Sequence, residues 1–153
     1  MKICSLEEFI NDRSVIYFID EIYKFSKGLM IKDLGYKEWF YGTHIESLGI
    51  NSNTIFVMDK NRIIGICNLW KEDNFKKISH IYVDNEYKNK GIENMLLINA
   101  LNYLETTRPI FKISLDEYII YKHMIEENEW QLRWIDRDTN LYYNYRKAKK
   151  KIK

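Results

Sequence analysis

The spacing of apolar residues changes along the chain, and the changes predict the order of helices and strands. In residues 1–53 apolar side chains recur every three to four positions, which is typical of helices. Beyond residue 53, short apolar runs bounded by Asn, Asp and Gly predict strands, interrupted by two stretches of helical spacing. The predicted elements are a helical stretch ending near Lys27-Gly28, a helix over Tyr36–Leu48 closed by Gly49, strands over Thr54–Met58, Arg62–Leu69 and Lys77–Val83, a helix from Gly91 to Leu104, a strand over Ile110–Leu115, a helix over Asp116–Asn128, and a hairpin of Trp130–Ile135 and Leu141–Tyr145.

Local signals refine these elements. Ser5 followed by Glu8 is typical of a capping box that starts the first helix. The turn at residues 59–61 predicts a hairpin between the first two long strands. Gly65 inside the second strand indicates a bulge or a close backbone approach. A short first strand over Met1–Cys4 stays open, because four residues show no period.

A charged turn and one glycine separate the third predicted strand from the next helix. The turn is Asp84-Asn85-Glu86, and Gly91 precedes the helix. Backbone N–H groups at a helix N-terminus point outward, and the helix dipole adds positive potential there. A glycine lacks Cβ, so a phosphate can approach the backbone closely. The stretch therefore predicts an anion cradle, with Lys88 and Lys90 as neutralising charges.

The segment from Val83 to Leu97, VDNEYKNKGIENMLL, resembles the acyl-CoA signature of the GNAT superfamily of N-acetyltransferases. That signature is a strand and a turn, then Arg or Gln, two residues, Gly, one residue, and Gly or Ala opening a long helix. Gly91 matches, Lys88 replaces Arg or Gln conservatively, and Glu93 stands where the family has a small residue. The resemblance implies an α/β fold: a mixed, mostly antiparallel central sheet, a splayed parallel strand pair and flanking helices.

The resemblance also implies acetyl-CoA as the default acyl donor and co-substrate, with no metal. The pantetheine arm would lie between the splayed strands and pair with backbone groups like an added strand. The Glu93 carboxylate favours the helix but repels a phosphate at the same terminus, unless it turns toward solvent or Lys90. The implied cofactor-binding residues are Ile81, Tyr82, Val83, Lys88, Asn89, Lys90, Gly91, Ile92, Glu93 and Asn94.

The resemblance points to a tyrosine as the acid that protonates the leaving thiolate. The family often has Tyr five residues before the Phe of a Gly-Phe pair, and Glu129-Trp130 occupies that pair here. Counting back five from Trp130 gives Ile125. Tyr121 lies four residues earlier on the same helical face and is the candidate acid, with Tyr118 one turn before it. A packing role for Tyr121 is the alternative.

Direct attack by an amine requires a neutral amine, so a base or a water chain must take its proton. His80 on the third long strand is the candidate base, because imidazole titrates in the right range. The sheet face that His80 occupies stays open, and a structural role is its alternative. The N-terminal helices form the acceptor side in the resembling family, which adds Glu38, His44 and Glu46 as candidates.

Length and charge predict one domain with a basic tail. The chain has 153 residues and is 46% hydrophobic, which excludes a disordered chain. We predict a single domain over 1–145, in which 1–53 form the acceptor side and 54–145 the acyl-CoA core. The net charge is +2, and residues 146–153 hold six Lys or Arg. This tail is expected to be a solvated terminus, so nucleic-acid binding is not expected.

The remaining features point to a cytoplasmic enzyme. Cys4 and Cys67 lack metal or redox spacing, and no apolar run is long enough for a membrane span or a signal peptide. Zinc, P-loop and triad spacings are also missing. The predicted function is transfer of acetyl from acetyl-CoA to a small-molecule or peptide amine. The alternative is a degenerate GNAT domain that binds CoA or a partner without turnover, and a homodimer stays open.

Overall fold

The computed structural model describes residues 1–28 and 35–145, and these form a seven-stranded sheet flanked by helices. The strands are ordered β1-β2-β3-β4-β5-β7-β6 across the sheet. The short strand that the sequence left open is present as β1. The bounds are β1 Lys2–Ser5, α1 Ser14–Lys27, α2 Tyr36–Trp39, β2 Ser52–Asp59, β3 Arg62–Glu72, β4 Phe75–Val83, α3 Ile92–Leu104, β5 Ile110–Ser114, α4 Tyr118–Glu127, β6 Leu132–Ile135 and β7 Asn140–Tyr143.

Among the described strands, only β4 and β5 pair in parallel. Their register is Lys77 opposite Ile110 and Ile78 opposite Phe111, and the pairing ends there. On its other edge β4 has a register shift, because His80 faces Asn68 while Ile78 faces the next residue of β3. The extra residue is a bulge, which bends a strand and ends pairing. The mixed sheet with a diverging parallel pair confirms the predicted α/β fold class.

The sheet is covered on both faces, which explains why β2 and β3 are nearly continuous apolar runs rather than alternating ones. α3 and α4 pack on one face, in a core cluster that includes Ile78, Ile81 and Val83 of β4. α1 and the helical stretch from Tyr36 pack on the other face. The two faces of β4 therefore have different neighbours, and this decides which of its side chains meet an acceptor.

Gly65 marks a close approach between the sheet and a helix, as the sequence predicted. A Cβ added there would lie 3.2 Å from both Ile92 Cγ2 and Leu96 Cδ1 of α3. The register between β2 and β3 also shifts beside it. The absent side chain lets the first turn of α3 sit directly on β3, so this contact fixes where that helix begins.

The predicted capping box at the start of the chain is wrong. Ser5 precedes a 3-10 turn over Leu6–Phe9, and its side chain makes no cap hydrogen bond. The cap comes from Asn53, whose Oδ1 accepts the Glu7 N–H at 3.0 Å and whose Nδ2 donates to Ser5 Oγ at 2.8 Å. A residue distant in sequence supplies the cap, which a local pattern does not reveal.

The predicted helix over Tyr36–Leu48 is helical but irregular. α2 gives way to a π-helical turn over Phe40–His44 and then to a 3-10 turn over Ile45–Ser47. π-turns shift the side chains that follow them around the helix axis. Here the shifted residue is His44, which is fully buried.

The end of α4 fits the family's Gly-Phe pattern in conformation. Glu129 has φ +54°, in the left-handed region that favours glycine. Trp130 is 5% exposed, and its Nε1–H donates to the Thr107 carbonyl at 3.0 Å. The basic tail of residues 146–153 lies outside the described residues. In the described part of the chain, none of the helices is long and apolar enough to cross a membrane.

Candidate active site

The pairing of β4 and β5 ends after Ile78 and Phe111, and beyond that point backbone groups of β4 face the space between the two strands, here called the cleft. The Asp84 N–H donates to the Ile64 carbonyl of β3 at 2.8 Å. The Ile81 carbonyl instead accepts a hydrogen bond from α4. Because backbone groups alternate in direction along a strand, Ile81 and Val83 face the cleft while Tyr82 faces β3. Of the three predicted pantetheine contacts, two have backbone groups in the cleft.

Tyr121 closes this cleft from the side of α4. Its hydroxyl donates to the Ile81 carbonyl at 2.6 Å, and its ring meets Phe111 edge-on with centroids 5.7 Å apart. The side chain is 4% exposed. Burial raises the pKa of the Tyr121 phenol well above its usual value, and the Glu117 carboxylate raises this pKa further. The phenol therefore holds its proton at neutral pH.

The helix start beyond the cleft has backbone donors without a side-chain cap. Gly91 has φ +84°, and a Cβ there would meet nothing within 4 Å. In the part of the chain that the structure describes, no side chain caps α3. The N–H groups of Ile92, Glu93 and Asn94 precede the first helical bond, from Met95 N to Gly91 O at 3.1 Å. This arrangement fits a pyrophosphate, which needs donors and room at the backbone.

The loop before α3 is braced against the β2–β3 hairpin. The Tyr87 hydroxyl donates to Asp59 Oδ2 at 2.7 Å. The Arg62 guanidinium lies 5.7 Å from the centroid of the Tyr87 ring, and Lys90 Nζ lies 5.6 Å from it. Asn89 has φ +61°, so two residues of the loop are left-handed and turn its backbone sharply. The hairpin therefore fixes the loop in the conformation that a phosphate would meet.

Replacing Tyr87 with Phe is expected to weaken acetyl-CoA binding about fivefold without unfolding the protein. The substitution removes the hydrogen bonds of the hydroxyl with Asp59 and Arg62 and leaves the ring beside the Arg62 and Lys90 cations. Calorimetric titration of acetyl-CoA measures the change. Tyr17→Phe, at an exposed side chain of α1, is the matched control. Equal affinity of the Tyr87 variant and the wild type would show that the Tyr87 hydroxyl does not determine the conformation of the loop.

Glu93 lies in the first turn of α3 and is half-buried. Its negative charge contributes to the raised pKa of Tyr121, so the carboxylate is close enough to the cleft to affect this phenol. None of the ion pairs among the described residues includes it. Of the two orientations that the sequence left open, toward solvent or toward Lys90, the pairing with Lys90 is therefore not formed, and the carboxylate stays in the first turn of α3.

A buried chain of hydrogen bonds crosses the opposite face of β3 and β4. Ser26 Oγ donates to the Ile22 carbonyl at 2.8 Å and accepts from the Tyr36 hydroxyl at 2.7 Å. Tyr36 in turn accepts from Asn68 Nδ2 at 3.2 Å. The Thr54 hydroxyl donates to Asn68 Oδ1 at 2.7 Å. Since a carbonyl only accepts, the Ile22 end fixes the direction of every bond in the chain.

This direction fixes the tautomers of two histidines. Thr54 donates to Asn68 and so accepts from His44 Nε2, at 2.8 Å, which leaves His44 Nδ1 without hydrogen. Within the described residues that buried Nδ1 atom has no partner. Asn68 Nδ2 also faces His80 Nδ1 at 3.4 Å, so His80 carries its proton on Nε2. Desolvation by burial lowers the pKa of both histidines to about 3.

His80 lies on the face of β4 that meets α2, which answers the question left open by the sequence. Its ring contacts Trp39 and Tyr36, with centroids 4.7 and 5.2 Å away. Its Nε2 is a donor in the neutral tautomer, and its low pKa makes it a poor proton acceptor at neutral pH. The geometry therefore favours a hydrogen-bond donor over the base that the sequence suggested.

Comparison with known proteins agrees with this geometry. A family model described as the acetyltransferase (GNAT) domain matches residues 41–118, just over half of the 153-residue chain. The chain belongs to the GNAT acetyltransferase family. This match confirms the resemblance seen in the signature segment. A search of curated proteins finds no match.

Solved structures share this GNAT fold at low identity. An aminoglycoside 6'-N-acetyltransferase complexed with coenzyme A has a TM-score of 0.68 at 8% identity, covering 97% of this chain and 99% of that chain. A GNAT-family acetyltransferase from Streptococcus pneumoniae has 0.61 at 13%, covering 93% and 96%. The PaiA N-acetyltransferase from Thermoplasma acidophilum, in complex with coenzyme A, has 0.56 at 14%, covering 94% and 98%. At these identities the likeness concerns the fold alone.

The GNAT framework separates the predicted site residues into two groups. Tyr121 lies with Ile81 and Val83 in the cleft, and the segment from Lys88 to Asn94 forms the loop and the first turn of α3 that follow β4. His80 and the side chain of Tyr82 lie on the other face, stacked with ring centroids 5.9 Å apart. Glu38 and Glu46 take no part in the buried chain of hydrogen bonds.

Two features of the site went unpredicted. The brace at Asp59 and the chain through Thr54 and Asn68 both depend on contacts across strands. A weak signal was available for the chain, because Thr54 and Asn68 are polar residues inside apolar strand runs. Both are fully buried, and buried polar groups need partners. The strand register that makes them neighbours is a tertiary property.

Proposed function

We propose that this GNAT protein is an acetyl-CoA-dependent N-acetyltransferase acting on a small-molecule or peptide amine. One observation carries the proposal. The Tyr121 hydroxyl at Ile81, the outward-facing backbone of Val83 and the uncapped start of α3 follow one another along the cleft, in the order that a thioester, pantetheine and pyrophosphate require. Two free cysteines among the described residues support the reducing cytoplasm as its location.

The residues of the cleft have separable binding roles. The N–H groups of Ile92, Glu93 and Asn94 would hold phosphate oxygens, with Lys88 and Lys90 adding positive charge. Val83 N–H and C=O would pair with the amides of the pantetheine arm. When bound, acetyl-CoA supplies an activated acyl group on sulfur. Among the described residues, no group of side chains could hold a metal ion.

The catalytic groups are few. The Ile81 N–H faces the cleft and would donate to the oxygen that gains negative charge during acyl transfer. Tyr121 Oη holds a proton 2.6 Å from the Ile81 carbonyl and would deliver it to the leaving sulfur. His80 presents Nε2–H on the acceptor face, where it would orient the substrate by donating a hydrogen bond. The amine proton then leaves through water rather than through His80.

The proposal is tested by calorimetric titration of acetyl-CoA, followed by an amine screen that measures thiol release. We expect micromolar binding of acetyl-CoA and turnover with a subset of amines. Free CoA should compete, because the phosphate and pantetheine contacts are shared. Binding without turnover for any amine would favour the alternative, a degenerate GNAT domain. Absence of binding at millimolar acetyl-CoA would refute both the proposed acetyltransferase and a degenerate domain that binds CoA.

The charge of Glu93 predicts a measurable effect on this binding. Replacing Glu93 with Ala is expected to tighten acetyl-CoA binding about fivefold, because a carboxylate ~5 Å from a phosphate costs about 1 kcal/mol in a water-like dielectric. Glu93→Gln keeps the size and removes the charge. If charge is the cause, both variants bind more tightly. If only the alanine variant improves, crowding is the cause, and unchanged affinity in both would refute the role of Glu93.

A further inference from the structure

We propose that the amine acceptor also carries an anionic group, a carboxylate or a phosphate, which binds Lys77 and Lys112 beside His80. This inference rests on the proposed function and names the class of its second substrate. Lys77 and Lys112, here called the lysine pair, lie on the two strands that diverge at the cleft.

The register places the lysine pair on the acceptor face of the sheet. Ile78, Phe111 and Ile113 point into the core beneath α3 and α4. Neighbouring side chains of a strand point to opposite faces, so Lys77 and Lys112 share the face of His80. Lys77 is opposite Ile110 in β5, so Lys112 is level with the bulge that precedes His80. Strand spacing sets the two lysine Cα atoms about 8 Å apart.

Within residues 1–28 and 35–145, the lysine pair has no partner of opposite charge. Both side chains are part-buried, and among the described residues no carboxylate forms an ion pair with either ammonium. The Asp136 carboxylate on this side of the sheet accepts instead from the Tyr142 hydroxyl at 3.0 Å and from Asn140. Part-buried ammonium groups without a counter-charge are unfavourable. Burial and the charge of Lys112 lower the pKa of Lys77, which agrees with two cations held close together.

Aromatic rings continue the surface beside Lys112. Lys112 lies 5.8 Å from the centroid of the Tyr142 ring, and the Trp134 ring lies 4.6 Å beyond Tyr142. Tyr145 completes this aromatic platform, 5.7 Å from Trp134. Trp134 is 47% exposed, so the platform is accessible. An acceptor with an anionic group and a flat or apolar body would contact the lysine pair and the platform together. A polycationic acceptor would be repelled by the same lysines.

The test compares small ligands that share a phenyl ring and differ in charge. Phenylacetate and phenyl phosphate are the anionic probes, and phenylacetamide is the neutral one. Calorimetry measures the binding of each to the wild type, to Lys77→Met and to Lys112→Met, which keep the apolar stem of the side chain. Lys122→Met, on the exposed side of α4, is the matched control. Acetyl-CoA binding is measured in parallel for every variant.

We expect at least one of the two anionic probes to bind about tenfold more tightly than phenylacetamide. Lys77→Met and Lys112→Met should remove this preference, and Lys122→Met should keep it. Acetyl-CoA affinity should stay unchanged in all of them. A preference for phosphate over carboxylate would identify the anionic group. Equal binding of anionic and neutral probes by the wild type would overturn the proposal. If the wild type prefers the anionic probes but does not bind acetyl-CoA, only the proposed function is contradicted.

Discussion

Replacing Tyr121 with Phe is expected to lower kcat about 100-fold to 1000-fold, with acetyl-CoA affinity changed little. The variant keeps the ring that packs edge-on against Phe111 and removes the hydroxyl that donates to Ile81 at 2.6 Å. Without that hydroxyl, the proposed proton donor to the leaving sulfur is lost. Steady-state kinetics with acetyl-CoA and an amine acceptor measure kcat and KM separately.

The matched control for this prediction is Tyr118→Phe. Tyr118 lies one turn before Tyr121 on α4 and packs at the edge of the same core. Thermal unfolding of both variants is needed, because the Tyr121 change also leaves the Ile81 carbonyl without its partner. That loss costs about 1–3 kcal/mol in a buried site. A folded Tyr121→Phe variant with wild-type kcat would contradict the assignment, and a loss confined to Tyr118→Phe would move the acid to Tyr118.

The position of Tyr121 shows how much the sequence could predict. The helix over Asp116–Asn128 follows from apolar spacing, whereas Tyr121 became the candidate acid through the resemblance, four residues before the position at which the family has Tyr. The structure places α4 at Tyr118–Glu127 and its tyrosine against β4. The spacing of apolar residues and the signature segment were sufficient to predict these elements. They were also sufficient to predict Gly91 at the start of α3, because a positive φ at a helix start is a local requirement.

The role of His80 shows where sequence reasoning stops. Its strand was predicted, but its face depends on a bulge that the sequence does not mark. Its tautomer depends on Asn68, whose orientation is fixed by the Ile22 carbonyl, three hydrogen bonds away through Tyr36 and Ser26. The low pKa comes from burial beneath helix α2 and neighbouring charges. Each of these is a tertiary property, so the residue type alone suggested the opposite role.

The same two histidines should make the protein unstable in mild acid. The free energy of unfolding is expected to fall by about 4 kcal/mol between pH 7 and pH 5 if both keep their shifted pKa values. Their pKa is about 3 in the folded state, against about 6.5 in an unfolded chain. Above pH 6.5 both states are neutral at these positions, and their stabilising contribution is complete. Between pH 6.5 and 3 the unfolded state binds two more protons, so stability falls as pH falls.

Urea unfolding at several pH values measures this slope, to which each of the two histidines contributes about 1.4 kcal/mol per pH unit. His44→Gln should roughly halve the slope whatever it does to stability at pH 7, since one titrating group is removed. His123→Gln is the matched control, because that side chain is exposed, pairs with Glu127 at the surface of α4 and lies outside the buried chain of hydrogen bonds. Burial raises the pKa of the Glu7 carboxyl, so this group makes the free energy of unfolding rise as pH falls. It is one group against two histidines, so the net slope keeps its sign. Equal stability at pH 7 and pH 5 would mean that His44 and His80 titrate normally. His80 would then again be available as a base, so the stability measurement also decides between the two catalytic roles of His80.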